Sequence, residues 1–378
     1  MYYLGVESSC DETSIAILKG EIDSNSNSFV EYLNSFEILA NSVSSQILVH
    51  QKYGGVVPEV GAREHANNIH IVYNQALADA NLTHQELMTG LDKIFVTTNP
   101  GLVSALRVGL EFAKSLSFFG GLSSNKIIEV VEINHLNGHL ASSFYKQDLA
   151  LNSGNKKDIY PKNTDIFPNL HLLVSGGNSQ IILLNSWNDK KIVGKTLDDA
   201  AGECFDKIGR MLGLKYPAGV IISQITSNSK SENLINLPVG MLKNSSLDLS
   251  YSGLKTAVRY LIEKQNFKSW KYQKELKKEE LEYLLNPLNQ EKIEHLEFIK
   301  KICISTQYVI IKQLQNKLNL AIKEFKPKSI GLSGGVSANQ VLRNTLETNF
   351  KLPLFIAPKK LTGDNGAMIA LAGLGDLG

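Results

Sequence analysis

Apolar and polar residues alternate in blocks at the start of the chain, and the same block order returns later. Residues 2–6 are apolar, residues 7–12 are polar, and residues 14–18 are apolar again. This order predicts a strand, a polar turn and a second strand. Residues 170–184 repeat it, with a Ser-Gly-Gly turn in the middle. The recurrence indicates two α/β lobes that are related by a weak internal duplication.

Helical and strand patterns alternate along the rest of the chain. Apolar residues recur at helical spacing within 63–80, and a short apolar run at 94–98 predicts a buried strand. A Pro-Gly turn and a second helical pattern follow that strand. Further strand–helix passages begin near 126, 329 and 354. Alternation of this kind is typical of an α/β protein whose sheets are covered by helices.

Two polar segments interrupt this pattern. Residues 146–169 are rich in Lys, Asn and Pro and predict a surface excursion. Residues 264–301 mix Lys and Glu with Leu and Tyr, which predicts a solvated helical excursion. The mixed sign of its charges argues against a strong nucleic-acid patch.

Composition narrows the class of protein. A chain of 378 residues suggests two domains, and 39 basic against 37 acidic residues give a net charge of only +2. Three cysteines exclude a disulfide scaffold and fit a reducing compartment. No apolar run is long enough to span a membrane, and the first residues carry no targeting pattern. We therefore expect a cytoplasmic protein.

The sharpest chemical signal is the histidine pair His135 and His139. Residues at i and i+4 share one helix face, so the two imidazoles can hold one metal ion; two unrelated histidines on a solvated helix are the alternative. Leu136 stands where metalloproteases of the H-E-x-x-H type carry their general base, which argues against a zinc protease. Asp364, in a glycine-flanked loop, is the candidate third ligand, unless it only caps the last helix. Such a donor set suits iron(II) or zinc.

Glycine-rich and acidic turns supply further candidates. Residues 175–177, 333–335 and the turn at 7–12 each follow an apolar strand. Their backbone N–H groups could cradle phosphate, which suggests a nucleotide between the lobes, although neither a P-loop nor a dinucleotide fingerprint is present. Acidic residues in these regions are either helix-dipole partners or groups that bind a cation, bind ribose or accept protons. They are Glu7, Asp11, Glu12, Asp198, Asp199, Glu203 and Asp206.

An ordered set of motifs now marks a resemblance. The chain resembles the TsaD/YgjD family of tRNA adenosine threonylcarbamoyltransferases, once described as O-sialoglycoprotein endopeptidases. The resemblance runs from Gly5 to about Ala372. Its motifs are GVESSCDET (5–13), YGGVVPE (53–59), PGL (100–102), HLNGH (135–139), LVSGG (173–177), DDAAGE (198–203) with FDK (205–207), SGLKT (252–256), GGVSAN (334–339) and TGDNGA (362–367).

The resemblance implies a fold and a set of site residues. The fold is the actin-like, Hsp70-like ATPase fold, with two RNase H-like lobes around a cleft. The N-terminal lobe would comprise residues 1–126 and 362–378, and the C-terminal lobe residues 127–361 with insertions near 146–169 and 264–301. The implied metal ligands are His135, His139 and Asp364. The implied substrate-binding residues are Leu173, Val174, Ser175, Gly176, Gly177, Asp206, Gly219 and Asn339.

The implied reaction is transfer of threonylcarbamoyl from threonylcarbamoyl-AMP to N6 of the adenosine 3′ of the anticodon, in tRNAs that read codons beginning with A. Our hypothesis is that Asp11 or Glu12 accepts the N6 proton. Iron(II) is the first choice of metal, with zinc or magnesium as alternatives, and ATP or ADP could occupy the same cleft. The implied partners are tRNA, a paralogous pseudo-enzyme and a small P-loop ATPase.

Three sites in the sequence depart from the family pattern, and one of them is Asn99, which stands where the family often has glycine. Asn178 and Ser179 replace a His-Thr pair, and Ala218 replaces a glycine. The alternatives are a small-molecule kinase or carbamoyltransferase of the same fold, and a non-catalytic scaffold paralogue. Scaffold paralogues lack the metal ligands, whereas this chain keeps all three.

Overall fold

The structure is a computed structural model, and it describes residues 1–22, 26, 28–145, 162–227, 234–242, 245–265, 274–286 and 293–377. The strands are β1 (Tyr2–Glu7), β2 (Glu12–Lys19), β3 (Glu37–Ser45), β4 (Leu91–Asn99), β5 (Glu129–Asn134), β6 (Asn169–Val174), β7 (Ser179–Leu184), β8 (Lys190–Lys195), β9 (Ser329–Ser333) and β10 (Leu354–Ile356).

Helices connect and cover these strands. They are α1 (Phe29–Asn34), α2 (Ile47–His50), α3 (Pro58–Asp79), α4 (His84–Gly90), α5 (Val103–Ser124), α6 (His135–Phe144), α7 (Asn163–Ile166), α8 (Ala201–Met211), α9 (Ala218–Thr226), α10 (Ser252–Lys264), α11 (Lys278–Leu285), α12 (Glu294–Phe325), α13 (Gln340–Asn349) and α14 (Gly366–Leu377). No helix among the described residues is both long and apolar enough to cross a bilayer.

The strands form two sheets with the same topology. The first sheet has the order β3-β2-β1-β4-β5, and the second has the order β8-β7-β6-β9-β10. In each sheet the first three strands of the lobe are antiparallel neighbours, and the next two join in parallel. The predicted duplication of two α/β lobes is therefore confirmed.

Both sheets are buried on both faces. Successive side chains along a strand point to opposite faces, so each strand contributes to two apolar layers. On β1, Leu4 and Val6 face the helices α3 and α5, whereas Tyr3 faces the other sheet. On β6, Leu172 faces the helices of the second lobe, and Leu173 faces the first lobe. The result is three apolar layers, with the middle layer shared by the two lobes.

Helices α6 and α14 fill the middle layer and bring the lobes together. Helix α14 lies on β1 so closely that a Cβ on Gly5 would stand 2.0 Å from the carbonyl oxygen of Gly366. On α6, a Cβ on Gly138 would stand 3.0 Å from the Met368 side chain of α14. Small residues therefore set the separation of these elements, and both helices begin at the same end of the middle layer.

The lobe division stays a prediction, although the strand positions refine it. Strand β5 is hydrogen-bonded to β4 in the first sheet, so a boundary at residue 126 separates it from its own sheet. We propose to move the boundary to the end of β5. Helix α14, within the predicted 362–378 segment, does pack on the first sheet.

The two predicted excursions are only partly within the described residues. Residues 146–161, 266–273 and 287–292 lie outside them. Within 264–301, a set of side chains is buried in the core of the second lobe: Leu276, Leu284, Leu296 and Ile299. The expectation of a wholly solvated excursion is therefore wrong for this part, because apolar residues at helical spacing anchor it.

We predict that Gly5→Ala destabilises the protein by about 1–3 kcal/mol, because the new methyl group overlaps backbone that cannot move without shifting α14. The midpoint of urea unfolding measures this. Gly253→Ala is the matched control, since its Cβ meets nothing within 4 Å. Equal midpoints for Gly5→Ala and the wild type would contradict the close packing of α14 on β1.

Candidate metal and substrate site

Three predicted metal ligands meet where α6 and α14 begin. His135 and His139 lie one turn apart on α6, and Asp364 lies in the loop before α14. Asp364 Oδ1 is 3.3 Å from His139 Nε2 and 3.5 Å from His135 Nε2. One potential ligand atom from each residue lies within 4.8 Å of the others. Asn365, and not Asp364, caps α14, because its side chain accepts the Met368 N–H.

The donor set fits a divalent cation. His139 is fully buried, and neither of its ring nitrogens makes a well-aligned hydrogen bond within the described part of the chain. A buried imidazole without such a partner is costly, and a metal bond at Nε2 would satisfy it. Two imidazoles and one carboxylate leave positions open for substrate or water.

A second carboxylate, that of Glu7, contacts the His135 ring nitrogen that does not face Asp364. Glu7 is fully buried; its Oε2 lies 3.1 Å from His135 Nδ1, and its Oε1 accepts the Ser9 N–H at 2.6 Å. The Thr97 hydroxyl also donates to Glu7. This is the arrangement by which proteins fix the tautomer and orientation of a ligating imidazole.

The charges of this cluster support one another. Burial alone would lower the pKa of His135, but the carboxylates of Asp364 and Glu7 outweigh it and raise that pKa to about 9. Burial alone would raise the pKa of Asp364, yet the two imidazoles lower it to about 2. The cluster therefore keeps Asp364 ionised, and a cation bound here would displace the proton of His135, because a ligating imidazole must be neutral.

A cleft of about 1300 Å³ between the lobes contains most of the predicted site. Leu173 and Val174 do not line it, because both are buried in apolar layers behind the turn. His139 also lies behind the cleft wall. The predicted residues that line the cleft are Asp11, Glu12, His135, Ser175, Gly176, Gly177, Asp206, Gly219, Asn339 and Asp364.

The Ser-Gly-Gly turn presents bare backbone to the cleft. A Cβ on Gly176 or Gly177 would meet nothing within 4 Å, and the N–H groups of these glycines have no acceptor among the described residues. The carbonyls of Ser175 and Gly176 instead accept from the first N–H groups of α8. The turn is thus held by its carbonyls, while its N–H groups remain available to an anion.

The two departures from the family pattern in this turn preserve its geometry. The Asn178 N–H donates to the Ser175 hydroxyl at 3.1 Å. The Ser179 hydroxyl accepts the Ala201 N–H at 2.8 Å, which ties β7 to the start of α8. The Asn178 bond is made by the backbone and does not depend on the side chain, whereas the Ser179 bond is made by the side-chain hydroxyl.

Asp206, on α8, shapes a further part of the cleft wall. Its Oδ1 accepts the N–H groups of Ala218 at 2.7 Å and Gly219 at 3.2 Å, so it fixes the loop before α9. Burial raises the pKa of Asp206 to about 6, although those two hydrogen bonds oppose the rise. The Asn339 side chain is also held by hydrogen bonds. It accepts the Leu342 N–H at the start of α13 and donates to Gln307.

The acidic pair predicted for catalysis also faces the cleft. Asp11 accepts a hydrogen bond from the Tyr216 hydroxyl of the second lobe at 3.4 Å. Glu12 accepts one from Ser45 at 3.2 Å. Burial and the neighbouring charge of Asp11 raise the pKa of Glu12 well above its usual range. The two carboxyl groups are chain neighbours, and both line the cleft.

Two further acidic residues, Asp198 and Asp199, have structural partners. Asp198 accepts hydrogen bonds from residues 250–252 at the start of α10. Asp199 forms ion pairs with Lys207 and Lys255. These two carboxylates connect the start of α8 to α10.

Sequence reasoning missed several residues that line the cleft, among them Gln51, Lys52, Arg210 and Tyr216. Gln51 Nε2 donates to the Tyr216 carbonyl oxygen at 2.5 Å, which joins the two lobes across the cleft. These contacts span more than 150 positions along the chain, so no local pattern could indicate them. The motif at 53–59 indicates a functional segment next to Gln51, but it does not indicate that Gln51 contacts Tyr216.

The sequence is similar to those of known proteins. The sequence model of the family described as "TsaD: tRNA N6-adenosine threonylcarbamoyltransferase" matches residues 37–371. The chain is 36% identical to a protein of that name from Thermosipho africanus, over 99% of this chain and 93% of the relative. It is 36% identical to one from Streptococcus agalactiae, over 98% of this chain and 91% of the relative.

A solved structure bears on the fold alone. The crystal structure of full-length HypF in its phosphate- and nucleotide-bound form superposes with a TM-score of 0.54 at 12% identity, over all of this chain and 46% of that one. The predicted actin-like fold is confirmed by this likeness and by the two equivalent sheets. By the extent of the family match, the chain belongs to the TsaD family of tRNA N6-adenosine threonylcarbamoyltransferases.

Proposed function

We infer that this chain transfers the threonylcarbamoyl group from threonylcarbamoyl-AMP to N6 of the adenosine 3′ of the anticodon, in tRNAs that read codons beginning with A. Family membership supports this reaction. The observation that carries it in the structure is the intact cluster of His135, His139 and Asp364, which opens into a cleft lined by a glycine turn and two carboxyl groups. A non-catalytic scaffold would not need that cluster.

The reaction is an acyl transfer. The N6 amine attacks the carbamoyl carbonyl carbon, a C–N bond forms, and the bond from that carbon to the phosphate oxygen breaks. AMP leaves with the electron pair of the broken bond, and the amine loses a proton. Because an aromatic amine is a weak nucleophile, a positioned base that takes this proton favours the attack.

We propose Asp11 as that base. A carboxyl group that retains its own proton cannot accept another, and the raised pKa of Glu12 disfavours it for this role. Asp11 faces the cleft and is held by Tyr216 from the second lobe. Glu12 would then act as a neutral neighbour that donates a hydrogen bond.

The proposed metal ligands are His135, His139 and Asp364. Iron(II) is the metal we propose first, because two histidines and one carboxylate are typical of that ion; zinc and magnesium are the alternatives. A bound divalent ion supplies Lewis-acid polarisation and a template for the mixed anhydride. Glu7 orients His135, and the N–H groups of Gly176 and Gly177 bind phosphate or developing oxyanion charge. The same N–H groups could bind the phosphates of ATP or ADP.

We propose tRNA, a paralogous pseudo-enzyme and a small P-loop ATPase as partners, and the cytoplasm as the location. Helix α5 supports a protein partner. Its side chains Phe118, Phe119 and Leu122 are each more than 60% exposed, and Ile127 just beyond the helix is 95% exposed. Apolar groups gathered on one helix in this way are typical of an interaction surface.

The proposed function predicts formation of threonylcarbamoyladenosine by the purified protein with its partners, threonylcarbamoyl-AMP and an unmodified tRNA. Mass spectrometry of the nucleosides measures the product. His139→Ala should abolish it, whereas His70→Ala should not, because His70 lies exposed on α3. Absence of product from the wild type, with an active relative in a parallel reaction, would reject the proposed function.

We predict that Glu7→Gln weakens the affinity for zinc(II) by about 10–100-fold, because the amide cannot hold the His135 imidazole as a carboxylate does. Competition with a chromophoric chelator measures this affinity without reference to catalysis. Glu132→Gln on β5 is the matched control, since Glu132 is exposed. If both variants bind zinc(II) as the wild type does, Glu7 has no orienting role.

We predict that Asp11→Asn lowers the single-turnover rate by about 10²–10⁴-fold, the usual contribution of a general base. Glu12→Gln should lower it far less, because the amide resembles a neutral carboxylic acid in shape and can still donate. Rapid-quench measurement at saturating substrates compares the two. A larger loss in Glu12→Gln than in Asp11→Asn would reverse the assignment.

A further inference from the structure

The segment between β3 and α3 reaches across the cleft to the second lobe. It contains α2 and a short 3-10 helix, Gln51–Tyr53, which ends at Gly54 in the left-handed region with φ of 72°. Besides the bond from Gln51 to the second lobe, the guanidinium of Arg210 lies against Gly54, where a Cβ would stand 3.3 Å from Arg210 Cζ. We call Lys52, Tyr53, Gly54 and Arg210 the cleft lip.

The cleft lip carries two cations without counter-ions. Four basic side chains line the cleft, and two of them are neutralised: Lys207 by Asp199 and Glu203, and Lys215 by Glu275 at 2.8 Å. Lys52 and Arg210 are exposed, and neither forms an ion pair with any carboxylate in the described residues. Cations that lack a carboxylate partner favour an anionic ligand.

An exposed aromatic residue is the chain neighbour of one of these cations. Tyr53 is 56% exposed and immediately follows Lys52 in the chain. Proteins that bind single-stranded nucleic acid combine cations that follow the phosphates with aromatic rings on which bases stack. A free nucleotide would find its phosphate partners at the Ser-Gly-Gly turn, whereas the lip offers exposed groups at the mouth of the cleft.

We propose that the cleft lip docks the single-stranded anticodon loop of the RNA substrate, with Lys52 and Arg210 on successive phosphates and Tyr53 stacked on a base next to the target adenosine. The proposal rests on the proposed function and adds the surface that function requires. A net charge of +2 gives no attraction over the whole surface, so a local site must hold the strand. Unpaired loop bases are the part of RNA that side chains can stack on.

The test measures threonylcarbamoyladenosine formation by the full chain with its partners, as a function of tRNA concentration and then of threonylcarbamoyl-AMP concentration. The double variant Lys52→Ala with Arg210→Ala should raise the half-saturating tRNA concentration at least tenfold. It should also reduce the slope of log affinity against log salt by about 0.7 for each lost phosphate contact. The half-saturating threonylcarbamoyl-AMP concentration should not change.

Tyr53 tests the stacking part separately. Tyr53→Leu should raise the half-saturating tRNA concentration roughly tenfold, and Tyr53→Phe should restore it, because phenylalanine keeps the ring. Lys191→Ala, on the edge strand β8 outside the cleft, is the matched control for charge. Circular dichroism and urea midpoints equal to those of the wild type exclude unfolding as the cause.

The outcomes separate this proposal from the function it rests on. A wild type that makes no product rejects the proposed function. A wild type that makes product, with lip variants that need no more tRNA than it does, overturns the cleft lip and leaves the function standing. Lip variants that need more threonylcarbamoyl-AMP, with unchanged tRNA dependence, assign the two cations to the small substrate and also overturn the proposal.

Discussion

The close approach of α14 to β1 is the constraint on which the site depends. Backbone meets backbone where Gly5 faces Gly366, and this contact fixes the height of α14 above the first sheet. Helix α6 packs against α14 in the same layer. Since Asp364 precedes one helix and His135 begins the other, the packing of two apolar helices determines the geometry of three polar side chains.

Contacts between carboxylates and imidazoles offset the free-energy cost of burying these side chains. Glu7 and Asp364 are acidic groups on opposite sides of the same imidazole, since Glu7 contacts Nδ1 of His135 and Asp364 contacts Nε2. An isolated buried charge would cost several kcal/mol, whereas a closed arrangement of carboxylates and imidazoles offsets much of that cost. Glu7 is therefore part of the fold, as the last residue of β1, and part of the site, through its contact with His135.

Much of the fold and of the candidate site could be predicted from the sequence, because it depends on local residue patterns and on motifs that occur in a fixed order. The duplicated strand–turn–strand pattern followed from the alternation of apolar blocks, and the histidine pair followed from helical spacing. Local patterns could not indicate that Leu173 and Val174 support the turn from behind, because burial on both faces of a strand depends on what the other lobe packs against it. Nor could they join Gln51 to Tyr216, or show that Asp198 and Asp199 serve as helix anchors, since these contacts are set by the meeting of distant segments.

The position of α14 in the chain has a consequence for biosynthesis. Strands β1 and β2 leave the ribosome long before α14, and this helix, which covers their inner face, is translated after the elements it packs against. During synthesis the first lobe must wait with an uncovered apolar surface, which is the kind of surface that chaperones protect. Asp364 arrives equally late, so a nascent chain holds two histidines without their carboxylate. The three side chains that could hold a metal ion therefore come together only after the segment that carries Asp364 has been synthesised and has folded against α6.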